Sequence, residues 1–194
     1  MHNYLPKIFC FIDQYNLDEL KVINKNTGII YRNYEKRIDL KTVILIRNYC
    51  RKNNRFLYLA NNIKASIKLK LDGVYIPSFI KKLNYKNCSI PKNFIFLGSA
   101  HNGQELIIKE KQGCALIFVA PIFKVKKKRN YLGINNFNRL SLNNKRKLIA
   151  LGGINSNNIK KINLLNCFGF AGISWIKKNG LIKIRPLLNC LNKQ

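Results

Sequence analysis

Residues 7–13 read KIFCFID and residues 115–120 read ALIFVA. Neither run alternates cleanly between apolar and polar positions. A strand with one wet face alternates with period two, whereas a strand covered on both faces, as in parallel sheets, need not. Six further runs share this character: residues 28–31 (GIIY), 56–60 (FLYLA), 73–76 (GVYI), 94–98 (FIFLG), 148–151 (LIAL) and 168–174 (FGFAGIS). The gaps between them carry helix signals. Asp39 precedes Leu40, Val43 and Ile44 as an N-cap. Ile63, Ile67 and Leu71 recur every fourth residue and so share one helical face. Asn155 or Ser156 can cap a helix bearing Ile159, Ile162 and Leu165, and Gly113 can close a helix over residues 105–112. Strand and helix alternating eight times predict right-handed βαβ units and an α/β fold, a small (β/α)8 TIM barrel forming one domain over residues 1–194. An open doubly wound sheet is the alternative, which a miscounted strand would produce.

The bulk properties agree with one globular domain. The chain has 194 residues, 47% of them hydrophobic, which suffices for a sizeable core. No stretch approaches the roughly 20 apolar residues of a membrane span. Residues 1–7 lack the basic, apolar and cleavage regions of a signal peptide, so neither an export signal nor a membrane partner is expected. The six cysteines are scattered and form no CxxC pair. They read as reduced thiols of a cytoplasmic protein. The charge is unusual: 36 Lys and Arg stand against 8 acids, a formal +28. Such a surface attracts polyanions, whether nucleic acid, anionic lipid or phosphorylated small molecules. AT-rich codons favour Lys, Asn and Ile, but codon usage does not explain the shortage of Glu.

In barrels of this kind chemistry sits where strands end and βα loops begin. The strongest local signal is Leu151-Gly152-Gly153-Ile154-Asn155-Ser156. Glycines let backbone approach a ligand closely, and a following helix start suits a phosphate. The eighth run ends Ala171-Gly172-Ile173-Ser174-Trp175, another small-residue turn with a hydroxyl. Barrels commonly bind phosphate with the loops after strands seven and eight. The competing reading is that the glycines serve only tight turns.

ALGGI followed by GFAGIS resembles the closing motifs of the thiamine phosphate synthase/TenI family. Other segments agree in order: Arg32 after run two, Leu59-Ala60-Asn61-Asn62, Asp72-Gly73-Val74-Tyr75-Ile76, Gly98-Ser99-Ala100-His101, and Ala120-Pro121-Ile122-Phe123 before a Lys-rich loop and Leu132-Gly133. The similarity extends from about residue 7 to residue 174. It implies coupling of a pyrimidine diphosphate to a thiazole phosphate with release of pyrophosphate. By resemblance, Arg32, Asn61, Ser99 and Lys128 contact the pyrimidine diphosphate, with Asn62 beside them. Gly152, Gly153, Ile173 and Ser174 hold the thiazole phosphate. Lys128 lies in residues 124–129 (KVKKKR), which read as a cationic clamp on the leaving group or as a solvated or RNA-contacting loop. His101 reads as a general acid/base, as a TenI-type tautomerase would need, or as a hydrogen-bonded turn histidine.

The resemblance also implies Mg²⁺, held by acids after strands three and four. Here those places read Asn62 and Ser78-Phe79-Ile80. Asn62 and Asp13 are the candidate oxygen donors for the metal, and Asp72, at the start of its strand, should point to the other end. Mg²⁺ favours carboxylates, so weak or absent Mg²⁺ binding is expected, with coupling activity far below that of a synthase carrying both acids, as in a degenerate or TenI-like relative. The expected partners are phosphorylated small molecules. Nucleic acid bound through the basic surface, without catalysis, is the second reading.

Overall fold

Eight parallel strands close on themselves in sequence order, with the eighth paired to the first. The structure is a computed structural model describing residues 5–33, 38–82, 88–125 and 130–172. The order is β1 (Ile8–Ile12), α1 (Leu17–Val22), β2 (Thr27–Tyr31), α2 (Leu40–Lys52), β3 (Leu57–Ala60), α3 (Ile63–Lys68), β4 (Gly73–Ile76) and β5 (Ile95–Ala100). It continues with α4 (Gly103–Lys111), β6 (Leu116–Val119), α5 (Gly133–Leu142), β7 (Lys147–Leu151), a 3₁₀ helix (Ile159–Leu164) and β8 (Gly169–Gly172). Parallel pairing of Ile8 with Phe170 closes the barrel. The open-sheet alternative is thereby excluded. No described helix is long and apolar enough to cross a membrane.

The local signals explain most boundaries. Asp39 caps α2 by accepting from the amides of Lys41 and Thr42 at 3.0 and 3.2 Å. Gly113, at φ +76°, turns the chain out of α4. Three expectations need correction. Ser99 and Ala100 extend β5 beyond the expected end of the run at Gly98. Leu71 lies beyond α3, because the chain leaves the helix at Leu69 and Lys70 takes a left-handed φ of +50°. The segment after β7 forms a 3₁₀ helix with Asn158, not Asn155 or Ser156, at its N-cap. The Asn158 side chain instead donates to the Gly153 carbonyl and accepts from the Asn155 amide.

Both faces of the strands are buried, which is why the runs do not alternate in hydropathy. Alternate residues face two different cores. Phe9, Phe11, Ile30, Tyr58, Tyr75, Leu97, Phe118 and Ile149 fill the barrel. Cys10, Ile29, Leu59, Val74 and Ile117 pack outward under the helices. Aromatic rings dominate this interior, several in edge-to-face contact, among them Phe9–Phe118 at 5.0 Å and Phe11–Tyr75 at 5.2 Å between centroids. Gly28 makes room for them: a Cβ there would sit 2.8 Å from the Phe9 ring. The interior is therefore solid, and a ligand can enter only at its ends.

Candidate active site

Because all strands run parallel, Asp13, Arg32, Asn61, Asn62, His101 and Gly152-Gly153 gather at one rim, the carboxyl-terminal mouth. Ser99 lies two residues after the interior Leu97 and is 7% exposed, so its hydroxyl faces the same mouth from inside. Arg32 follows the interior Ile30 by two residues. Its guanidinium carbon lies 4.5 Å from the centroid of Phe11, roofing the aromatic core with a cation. The Arg32 amide donates to the Ile12 carbonyl at 2.8 Å, fixing its root to β1. Beside it, the Asn33 side-chain amide donates to the Asp13 carbonyl at 3.2 Å. Burial first, then the neighbouring carboxylates Asp39 and Asp13, push the Tyr31 phenol above its ordinary range.

The glycine pair also serves the packing of two neighbouring loops. Gly152 and Gly153 take φ of +91° and +75°. A Cβ on Gly153 would strike the Phe123 carbonyl oxygen and lie 2.9 Å from that of Lys124. Its side-chain direction is thus filled by the loop after β6 and does not open toward a ligand. Two backbone bonds stitch these loops: Ile122 N–H to Leu151 O at 2.9 Å and Phe123 N–H to Gly152 O at 3.1 Å. Leu132 N–H donates to Pro121 O at 3.0 Å, which ties the start of α5 to the residues just after β6. Lys128, Ile173 and Ser174 lie outside the described residues.

His101 is tied to Glu105. Its Nδ1 lies 3.1 Å from Glu105 Oε2, and its amide donates to the same oxygen at 2.7 Å. The Glu105 amide is in turn held by Asn102 Oδ1. This supports the hydrogen-bonded turn histidine and orients the ring as well. Asn102 and Glu105 stand at capping-box spacing around the start of α4, the local signal that could have placed this carboxylate beside the turn. Asn61 stands at a left-handed φ of +56°, its amide bonded to Tyr75 O. Asn61 and Asn62 line a cavity of about 310 Å³ that also touches the outward-facing Val74 and Ile76, so it lies to the side of the barrel axis.

Sequence reasoning missed Lys109. It is fully buried behind the loop after β4, where its ammonium donates to Pro77 O, Ile80 O and Gln112 Oε1 at 2.8, 2.7 and 2.9 Å. Desolvation holds it below the ordinary lysine value. Nothing in the polar stretch of residues 105–112 distinguished this lysine from its solvated neighbours.

A sequence profile described as "Thiamine monophosphate synthase" matches residues 20–176. This chain belongs to the thiamine monophosphate synthase family. Its sequence is 29% identical over 119 residues to a thiamine-phosphate synthase of Prochlorococcus marinus, covering 60% of this chain and 34% of that protein. It is 25% identical over 157 residues to a thiamine-phosphate synthase from another strain of that organism, covering 80% and 41%. The chain thus spans well under half of those two relatives. A thiamine-phosphate synthase of Coprothermobacter proteolyticus is 24% identical over 160 residues, covering 80% and 76%. Among solved structures, thiamine phosphate pyrophosphorylase from Pyrococcus furiosus superposes with a TM-score of 0.71 at 18% identity, covering 97% of this chain and 94% of that one. That likeness bears on the fold.

Within this family the metal places are altered. Asn62 Oδ1 accepts from the Ala65 amide at 2.9 Å, acting as the N-cap of α3. The carbonyls of Pro77 and Ile80, after β4, accept from the Lys109 ammonium, a buried cation that would repel a second one. Asp13 follows β1, two strands away from the β3 end that carries Asn62. Mg²⁺ wants several hard oxygens in octahedral array, and the described residues do not fit it at the family's position.

Proposed function

We propose that this chain binds a pyrimidine diphosphate and a thiazole phosphate at the carboxyl-terminal mouth and couples them to thiamine phosphate. The observation that carries the reading is the Arg32 guanidinium held over Phe11 at the end of the aromatic core, in a chain of this family. A cation on a low-dielectric floor is a strong anchor for a diphosphate.

In the reaction the bond between the pyrimidine methylene and the diphosphate oxygen breaks. Its electron pair leaves with pyrophosphate, and the thiazole ring nitrogen donates its lone pair to the methylene carbon. The protein must position two phosphates and stabilise leaving-group charge. Arg32 and Lys128 are assigned to that charge, with Ser99 and Asn61 as hydrogen-bonding groups on the pyrimidine diphosphate. Ile173, Ser174 and the Gly152-Gly153 backbone are assigned to the thiazole phosphate. His101, oriented by Glu105, is assigned to hydrogen bonding at the rim, since this coupling transfers no proton. Lysine and arginine, not Mg²⁺, carry the compensation for pyrophosphate.

The test is thiamine phosphate formation by purified protein from both substrates, with Mg²⁺ and in EDTA. Product in EDTA, reduced at least tenfold by Arg32→Ala and by Lys128→Ala, would support the reading. Absence of product together with no binding of either substrate would end it. Product formed only with Mg²⁺ would restore a metal role to Asn62 and Asp13.

A further inference from the structure

At the opposite, amino-terminal end of the barrel a cavity of about 410 Å³ opens between the starts of β1, β7 and β8 and the end of α5. Three cations line it: Lys7, Arg146 and Lys147. Two of them converge on one ring, with the Lys147 ammonium 4.5 Å and the Lys7 ammonium 5.6 Å from the centroid of Phe168. No carboxylate is among the lining residues described. Glu110 accepts from the amide of Lys145, beside Arg146 in the chain, at 3.1 Å.

The polar wall of the cavity is braced. The Asn166 side chain donates to Ser141 Oγ at 3.0 Å, that hydroxyl donates to Asn138 O at 2.7 Å, and the Asn166 amide donates to Asn138 Oδ1 at 2.8 Å. The cationic wall is braced as well, since Asn144 Oδ1 holds the Arg146 amide at 2.8 Å. Arg146 and Lys147 are exposed, so they add nothing to the core. Arg146 and Lys147 are adjacent like charges, and their mutual repulsion is unfavourable. An anion relieves it.

We propose that this cleft is a second anion site, for a small phosphate monoester. The size fits a small molecule, within the roughly 300–1,000 Å³ of ligand pockets. A monoester phosphate carries about −1.5 to −2 charge at neutral pH, which matches a site with two lysines and an arginine able to grip it with two N–H groups. A half-open pocket of this size with a braced polar wall suits such a molecule better than a polymer, which would need a continuous groove. The cleft shares no residue with the mouth, so it stands or falls independently of the proposed reaction.

The experiment is calorimetric titration of the full chain with AMP, at physiological salt. The parent, Arg32→Ala and Arg146→Gln/Lys147→Gln proteins are compared, with thermal melts of each. The expected result is saturable AMP binding that Arg32→Ala leaves unchanged and the double substitution weakens at least tenfold, with melting unchanged or raised in the double variant. Equal AMP affinity in parent and double variant would overturn the proposal. So would loss confined to Arg32→Ala, or a lowered melting temperature in the double variant, which would make the cations structural. Binding of a short deoxythymidine oligonucleotide that the double substitution abolishes, without saturable AMP binding, would overturn it in favour of a nucleic-acid surface.

Discussion

Gly153→Ala separates two reasons for a glycine, backbone conformation and space. At φ +75° an alanine pays the left-handed penalty of roughly 1–2 kcal/mol. Its Cβ would also meet the Phe123 carbonyl, with the Phe123 carbonyl carbon 2.6 Å away and Lys124 O at 2.9 Å. Backbone cannot rotate aside as a side-chain tip can, so the loop after β6 must shift, at a further cost of about 1–3 kcal/mol, as for overpacking. Gly113 is the control: its φ is +76°, and a Cβ there would meet nothing within 4 Å. Gly113→Ala should therefore lose only the conformational part. Urea or thermal unfolding should place Gly153→Ala about 2–5 kcal/mol below the parent, roughly 5–15 °C in Tm for a chain of this size. Gly113→Ala should fall about half as far or less. Equal losses would refute the close approach. A consequence for function follows: Gly153→Val will lower phosphate affinity through the displaced loop, whether or not a ligand touches that residue.

Tyr58→Phe should leave stability unchanged or raise it by up to about 1 kcal/mol, because its buried hydroxyl has no hydrogen-bond partner among the described residues. A clear loss would reveal a partner. Lys109→Met removes the donor shared by three oxygens and should cost about 2–4 kcal/mol by chemical denaturation; a neutral result would show that the loop after β4 holds without it. Burial pushes Cys50 and Cys114 up to about 12 and Cys167 to about 11. Raised folded-state values mean that stability is complete below the unfolded thiol value of about 8.5 and is lost as pH rises through the folded values. Lys109, shifted downward, acts in the opposite direction over that window, but three thiols and Tyr58 outnumber it, so the unfolding free energy should be lower at pH 10.5 than at pH 8; a flat or rising curve would contradict the burial argument. In a Cys190→Ser background, a disulfide reagent should label Cys88 first, since the other described cysteines are buried; rapid labelling of Cys114 would count against the packing around Lys109.

The eight unalternating runs were enough to read parallel strands buried on both faces, because that burial is written into composition, while closure into a barrel rested on the pairing of β1 with β8. The caps at Asp39 and Gly113 were equally legible, since each depends on bonds within a few residues. The rim membership of Arg32, Ser99 and Gly152-Gly153 followed from strand ends alone. Which way each residue is used did not. Gly153 looked like an opening for a ligand, yet the atoms that fill its side-chain space come from residues 123 and 124, distant in sequence. Asn62 looked like a weakened metal ligand, and its oxygen is committed to the start of α3. Lys109 looked like any surface lysine until three oxygens, two of them about thirty residues away, closed around it. The cleft at Lys7, Arg146 and Lys147 exists only because β1 pairs with β8 and brings the two ends of the chain's strand series together. Periodicity and capping are local and survive in the sequence. The occupancy of a given space is decided by long-range pairing, and only the closed barrel supplies it.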